Sequence, residues 1–306
     1  MIFHDQSLVA LFIIKRLNQI TANVIRSDGK TWPWHTKPLS KKIAKHLFRL
    51  RDQLVRKVEI IDGQSHYRFR CANWLELSRC MMLFTKEPGT CEWIRKVGTG
   101  SVFYDIGANI GLFSILAAER VGQSGKVFAF EPHAANFSRL LDNIAVNELQ
   151  HIITPCSFAL HQANGYFNFI YDSRDVGTSN SQLSFHRKED KVSNNQTGNF
   201  ELKYAVSIDN LIFSESFPPP DYIKIDVDGN ELPILRGMSN LLKSKKRPKS
   251  IQVEICNDDN PQILSFMENH NYLVANAHYS IFGMEAIAQG GQGESYVCNT
   301  IFQPKD

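Results

Sequence analysis

Asp105 and Glu131 each close a short apolar run, Ser101–Tyr104 and Lys126–Phe130, and each is followed at once by turn-forming residues. Runs of this length and composition suit buried strands. After the first, Gly107 and Gly111 flank Asn109, and Leu112, Phe113, Ile115, Leu116 and Ala118 supply the apolar content of a helix. The two glycines let the backbone turn tightly and let a ligand approach the helix N-terminus. Asp105, Gly107, Asn109 and Gly111 therefore form a strand–turn–helix ligand site. An acid at the strand tip speaks against a pyrophosphate, and the dinucleotide pattern G-x-G-x-x-G is missing. A cationic amino group is the better partner, as in S-adenosylmethionine. Glu131 follows Gly111 by 20 residues (131 − 111), and a carboxylate there can accept both hydroxyls of a ribose. NAD sites use the same device, so Glu131 alone does not choose the cofactor. Singly, either acid reads as a helix cap; placed at successive strand tips, they read as two ends of one ligand site. Ser157 or Phe158, after a third apolar run, would border the adenine.

A second dense stretch is D-Y-I-K-I-D-V-D-G-N-E at 221–231. Strand alternation puts Lys224 and Asp226 on one face, and Gly229 allows a sharp exit into the next helix. A fifth apolar run ends at Glu254, followed by Cys256, Asn257 and Asp258. Acids at neighbouring strand tips suit general-base work on a hydroxyl. With Asn257 they also suit a hard divalent cation, or they cap helices. Asp226 and Glu254 are taken as the catalytic pair, and no metal is assigned.

These residues need a scaffold that brings strand ends together. From residue 101 strands alternate with helices, at 102–105, 126–130, 152–156, 222–227 and 251–255. That rhythm implies a parallel sheet with helices on both faces and a ligand at its carboxyl edge. The segment 161–205 is too long for an ordinary connection. Tyr166–Tyr171 alternates, Leu202–Val206 answers it, and the polar stretch between reads as a lid over the acceptor pocket. Before the core, residues 58–98 read as a hairpin turning at Asp62-Gly63, then helices. Residues 1–57 read as a basic helical extension, with Ile43, Leu47, Leu50 and Leu54 at helical spacing among lysines and arginines. That stretch, over 41–57, is a solvated helix face or a peripheral contact with an anionic membrane surface. The expected domains are thus 1–57, 58–98 and 99–306.

Composition excludes several classes. A content of 43% hydrophobic and 21% charged residues is that of a soluble globular protein. A net charge of +3 does not by itself imply nucleic acid, and no N-P-P-Y or D-P-P-Y run, the mark of base amino-group methylation, is present. The six cysteines contain no C-x-x-C pair, which argues against zinc and against a disulfide framework and fits a cytoplasmic protein. The apolar run Leu8–Ile14 is too short for a membrane span and lacks a basic leader.

Taken together, F-Y-D-I-G-A-N-I-G-L-F-S, F-A-F-E-P with Asn143 and Asn147, V-S-I-D-N-L at 206–211, D-Y-I-K-I-D-V-D-G-N-E-L-P-I-L-R-G at 221–237, V-E-I at 253–255 and C-N-T-I-F-Q-P near the end resemble the FkbM-type family of S-adenosylmethionine-dependent methyltransferases. The resemblance spans roughly residues 58–303. It implies a class I methyltransferase sheet, Rossmann-like, of seven strands with the last antiparallel. It also implies methyl transfer, most often to oxygen, here to a hydroxyl on a sugar, glycolipid or secondary metabolite. The family's I-D-V-E-G-x-E reads I-D-V-D-G-N-E here, so Asp228 is one methylene shorter. Two other readings stand beside it at this point: an NAD-dependent oxidoreductase, and a non-catalytic interaction module that keeps the fold.

Overall fold

The structure is a computed structural model that describes residues 56–185, 199–255, 260–281, 283–284 and 298–305. The basic stripe at 41–54 and the residues Cys256, Asn257 and Asp258 lie outside the described residues.

Alternating charged and apolar residues fold first into a two-stranded sheet, β1 (Arg56–Asp62) and β2 (Ser65–Cys71). Gly63 turns between them at φ +63°, a conformation that favours glycine. Helix α1 (Trp74–Met81) starts on a capping box: Asn73 accepts from the Glu76 amide at 2.8 Å, and Glu76 accepts from the Asn73 amide at 3.1 Å. Helix α2 (Pro88–Arg95) then begins on a proline, whose missing N–H costs nothing at that position.

The core is one seven-stranded sheet. In chain order its strands are β3 (Val102–Ile106), β4 (Lys126–Phe130), β5 (Ile153–Cys156), β10 (Tyr222–Ile225), β11 (Ser250–Ile255), β12 (Tyr272–Tyr279) and β13 (Cys298–Pro304). In space they run β5-β4-β3-β10-β11-β13-β12, with the final strand antiparallel to both neighbours, as expected. The order reverses between β3 and β10, and in such sheets the ligand crevice lies at that switch point.

Alternation along each strand divides the core in two. Tyr104, Ile106, Phe128, Phe130, Ile223 and Ile225 pack on one face, against α5 (Ile208–Phe213), α6 (Glu231–Arg236), α7 (Ser239–Lys243) and α8 (Asn260–Asn269). Phe103, Val127 and Ala129 pack on the other, against Ile94 of α2, Ile115 of α3 (Leu112–Val121) and Leu140 of α4 (Ala134–Val146). Asp105 and Lys224 share this second face and are cross-strand partners in the β3–β10 register. Charge thus sits inside a core face where an apolar side chain would be the cheaper choice.

Residues 159–206 build a smaller four-stranded sheet, ordered β6-β9-β7-β8, from β6 (Ala159–Leu160), β7 (Gly165–Tyr171), β8 (Gln182–Phe185) and β9 (Asn199–Val206). The alternating segments β7 and β9 pair antiparallel. Strand β8 adds a partner that four residues without strong alternation do not announce. Among the described residues no helix is long and apolar enough to cross a membrane.

Candidate active site

A cavity of about 310 Å³ opens at the carboxyl ends of β3, β4 and β10, at the small end of the range typical of ligand pockets. Its floor is the turn after β3. The amides of Gly107 and Ala108 both donate to the Phe130 carbonyl at 3.0 Å, which ties the turn to β4. Gly107 adopts φ +83°, and a Cβ there would stand 1.8 Å from the Asp226 carbonyl oxygen. The close neighbour of this glycine is the chain leaving β10, and the glycine lines the cavity as well. Gly111, at φ +89°, faces Leu140 of α4, whose Cδ1 would lie 2.6 Å from an added Cβ. Gly107 lets two backbone segments close on each other at the cavity wall; Gly111 does not line the cavity and lets the turn pack against the Leu140 side chain.

Glu131 lines the cavity and is already oriented. One carboxylate oxygen accepts from the Asn109 amide at 2.7 Å and the other from the His133 amide at 2.8 Å. A carboxylate offers about four acceptor sites, so each oxygen keeps a lone pair for a ligand hydroxyl. Burial pushes the Glu131 carboxyl up to about 7, against the pull of those two amides. Phe158 also lines the cavity, edge-on to Phe130 at 5.7 Å between centroids. Ser157 is exposed and does not reach the wall.

Asp105 does not line the cavity either. It is wholly buried beneath the turn, where the Ser114 hydroxyl donates to its Oδ2 at 2.5 Å. Its Oδ1 has no hydrogen-bond partner, and the nearest cation is Lys224 Nζ at 3.9 Å. Burial raises the Asp105 carboxyl, partly offset by Lys224 and Ser114.

The other half of the cavity is an acid cluster. Strand β10 ends at Ile225, two residues short of the expected 222–227, so Asp226 stands in the loop, its amide donating to the Ile106 carbonyl at 3.1 Å. The loop turns through positive φ at Asp228 and Gly229 and is held by Glu231, which accepts from the Val227 and Gly229 amides at 3.2 and 3.1 Å. Asp228 accepts from the Asn180 amide at 2.7 Å, so the shortened side chain has a partner. Asp226, Glu254 and Glu87 bring carboxylate oxygens within 4.8 Å of one another, close enough to share a cation or a proton. Lys224 Nζ donates to Asp226 Oδ2 at 2.8 Å and lies over the Phe113 ring at 4.9 Å. Burial drives the Asp226 carboxyl up, but Lys224 and the bond with Glu254 outweigh it and hold it below its ordinary value. The Asp226 charge first, and burial second, push Glu254 strongly up. The pair is therefore arranged to hold one proton between them.

A strap between β7 and β8 closes the wall. Asn109 and Asn136 side chains donate to the Thr178 carbonyl at 2.8 and 3.1 Å, Asn73 donates to the Val176 carbonyl at 2.9 Å, and Arg79 donates to the Gly177 carbonyl at 2.6 Å. This part of the insertion is bonded to the body, not loose; residues 186–198 lie outside the described residues.

The structure thus brings Gly107, Asn109, Glu131, Phe158, Asp226 and Glu254 to one cavity. Sequence reasoning missed Glu87, which looks like a helix cap before Pro88, and Arg79, one basic residue among many. Lys224 carried a readable signal, a cation in a strand of isoleucines on the same face as Asp226.

The family described as the Methyltransferase FkbM domain matches residues 105–274. Hexuronic acid methyltransferase AglP of Haloferax volcanii is similar, 28% identical over 209 residues, covering 66% of this chain and 80% of its own. Methyltransferase sdnD of Sordaria araneosa is 23% identical over 201 residues, covering 60% and 77%. A putative rRNA-methylase from Clostridium thermocellum overlays with a TM-score of 0.45 at 11% identity, over 72% of this chain and 97% of that one.

Proposed function

This chain belongs to the FkbM family of S-adenosylmethionine-dependent methyltransferases, and on that premise we propose that it methylates a hydroxyl oxygen on a sugar, glycolipid or related small molecule. The observation that carries the proposal is the Asp226–Glu254 pair at the cavity wall. Both carboxylates line the cavity, their oxygens lie within 4.8 Å of each other and of Glu87, and Lys224 donates to Asp226 at 2.8 Å, an acid cluster suited to general-base work on a hydroxyl. The similarity to a hexuronic acid methyltransferase supports a sugar acceptor. Family membership leaves the NAD-dependent reading without ground.

The residues present fit the cofactor. Glu131 would accept the ribose hydroxyls on its remaining lone pairs, Phe158 would border the adenine, and the turn at Gly107–Gly111 would receive the amino-acid tail. Asp105, beneath that turn, acts on the tail through its charge and not by contact. The cofactor supplies a methyl group already activated on a sulfonium. What the protein must add is alignment and removal of a proton. Asp226 would receive the proton that the acceptor hydroxyl gives up. Glu254, through the proton the pair holds, limits the negative charge in the cluster. The strap at 176–179 forms the wall that keeps water from this exchange.

Incubation with S-adenosylmethionine and a panel of hexuronic acids, neutral sugars, amines and RNA, read by mass spectrometry, tests the proposal. Methyl ethers on a hydroxyl-bearing acceptor are expected; methylation confined to nitrogen or to nucleic acid would refute it.

A further inference from the structure

Lys224 is buried to 1% exposure, among the largest fully buried side chains of the described residues, yet it belongs to the cavity wall. Four acids surround it. Asp105 faces it from β3, Asp226 from the exit of its own strand, Glu254 from β11 and Glu87 from the start of α2. The other cation nearby, Lys86, is engaged with Glu87 at 3.0 Å and is half-exposed. Phe113 of α3 closes the remaining side with its ring face.

An ammonium in such a place is costly unless its partners are fixed. Here they are. Strand register sets Lys224 opposite Asp105, and the Ser114 hydroxyl holds that carboxylate from behind. Asp105 is one step too far to take a hydrogen bond from Nζ, so it holds the charge without taking the bond, and the bond at 2.8 Å goes to Asp226 Oδ2. A trio of carboxylates within 4.8 Å demands positive charge between them. In a cation site built from oxygen ligands a metal supplies it; in this chain the Lys224 ammonium already bonds one member of the trio, Asp226.

We propose that Lys224 is the cation built into this cluster, a positioning residue that orients the Asp226 carboxylate toward the acceptor and takes the place of a divalent metal among Glu87, Asp226 and Glu254. The inference rests on the hydroxyl-methylation reading for its consequence in turnover, but the arrangement itself is independent of the acceptor. Burial opposes the charge on Lys224, and Asp226, Asp105 and Glu87 together overcome it, so the ammonium persists above its ordinary range. Asp105 thereby gains a second part: it anchors the ammonium that orients the base.

The test compares wild type, Lys224→Met and Lys224→Arg with carboxyl-labelled aspartate and glutamate, first without acceptor. The Asp226 carboxyl resonance, assigned through Asp226→Asn, titrates at higher pH in Lys224→Met than in wild type, and returns toward wild type in Lys224→Arg. With acceptor, Lys224→Met loses about 100-fold or more in kcat, the scale of a misplaced general base, with KM within about threefold. The acid limb of its pH profile moves upward, and millimolar magnesium or manganese restores part of the rate. Chelator leaves the wild-type rate unchanged. If chelator stops the wild type, or if the Asp226 titration is the same with and without the lysine charge, the inference is wrong. The chelator arm needs no variant to fold. A shifted titration combined with no hydroxyl methylation would overturn the acceptor reading and leave Lys224 in its place.

Discussion

The carbonyl oxygen of Asp226 lies 1.8 Å from the point where a Cβ on residue 107 would stand. The turn after β3 and the loop after β10 thus approach as closely as backbone can, and only glycine at 107 permits it. One contact joins the cofactor half of the cavity to the acceptor half.

Gly107→Ala is therefore expected to damage both halves. The left-handed φ alone costs about 1–2 kcal/mol for an alanine, and the collision adds to it because its partner is backbone. Calorimetry should show a lower melting temperature together with loss of S-adenosylhomocysteine affinity. A variant that melts and binds as wild type would mean that the two loops are farther apart than described.

Glu131 sets a pH dependence. Its carboxyl stands near 7, above the ordinary 4.5, and ribose hydroxyls need the ionised form as acceptor. Cofactor affinity should fall as pH drops below about 7, and titrations near pH 6 in buffers of different ionisation heat should reveal proton release on binding. In the free fold the sign is opposite. A folded value above the unfolded one means that this group favours folding most at low pH and loses that contribution as pH rises from 4.5 through 7. Glu131→Gln should weaken binding by about tenfold to a hundredfold, the loss of one charge-assisted bond or more. Affinity flat across this pH range would remove Glu131 from the ribose.

How much of this was readable in the chain depends on the kind of physics involved. Strand alternation located Asp226 and Glu254, and the turn residues located Gly107 to Gly111, because periodicity and φ are local properties. Depth is not local. Asp105 and Glu131 look equivalent as acids at strand tips, yet one lies beneath the turn and the other on the wall. Ser157 and Phe158 are neighbours in the loop between β5 and β6, yet one is exposed and the other lines the cavity. Glu87 and Arg79 enter the cavity only through the packing of α1 and α2 on the core. The polar stretch reads as a lid, but its composition does not say which of its groups meet the body; here the backbone carbonyls of Val176 and Thr178 accept from Asn73, Asn109 and Asn136, residues distant in sequence.

Asn136 is the clearest handle on that strap, accepting from the Gly177 amide at 2.8 Å while donating to the Thr178 carbonyl. Asn136→Ala should speed hydrogen exchange at residues 176–179 by about tenfold, for bonds worth about 1 kcal/mol each. Exchange already fast in the wild type would show that the strap opens freely.

S-adenosylhomocysteine should stabilise the fold where NAD does not, since Asp105 beneath the turn opposes a pyrophosphate. At a hundredfold excess over its dissociation constant the gain is about 2.7 kcal/mol, a shift of several degrees in a thermal melt. Equal shifts with both ligands would contradict the assignment of the turn.

The most direct measurement is turnover of Asp226→Asn beside its affinity for S-adenosylhomocysteine. The amide keeps the shape of the side chain and cannot accept the proton, so kcat should fall by about 100-fold to 10,000-fold while affinity stays within about threefold. An Asp226→Asn enzyme that binds normally and methylates its acceptor at the wild-type rate would contradict the account.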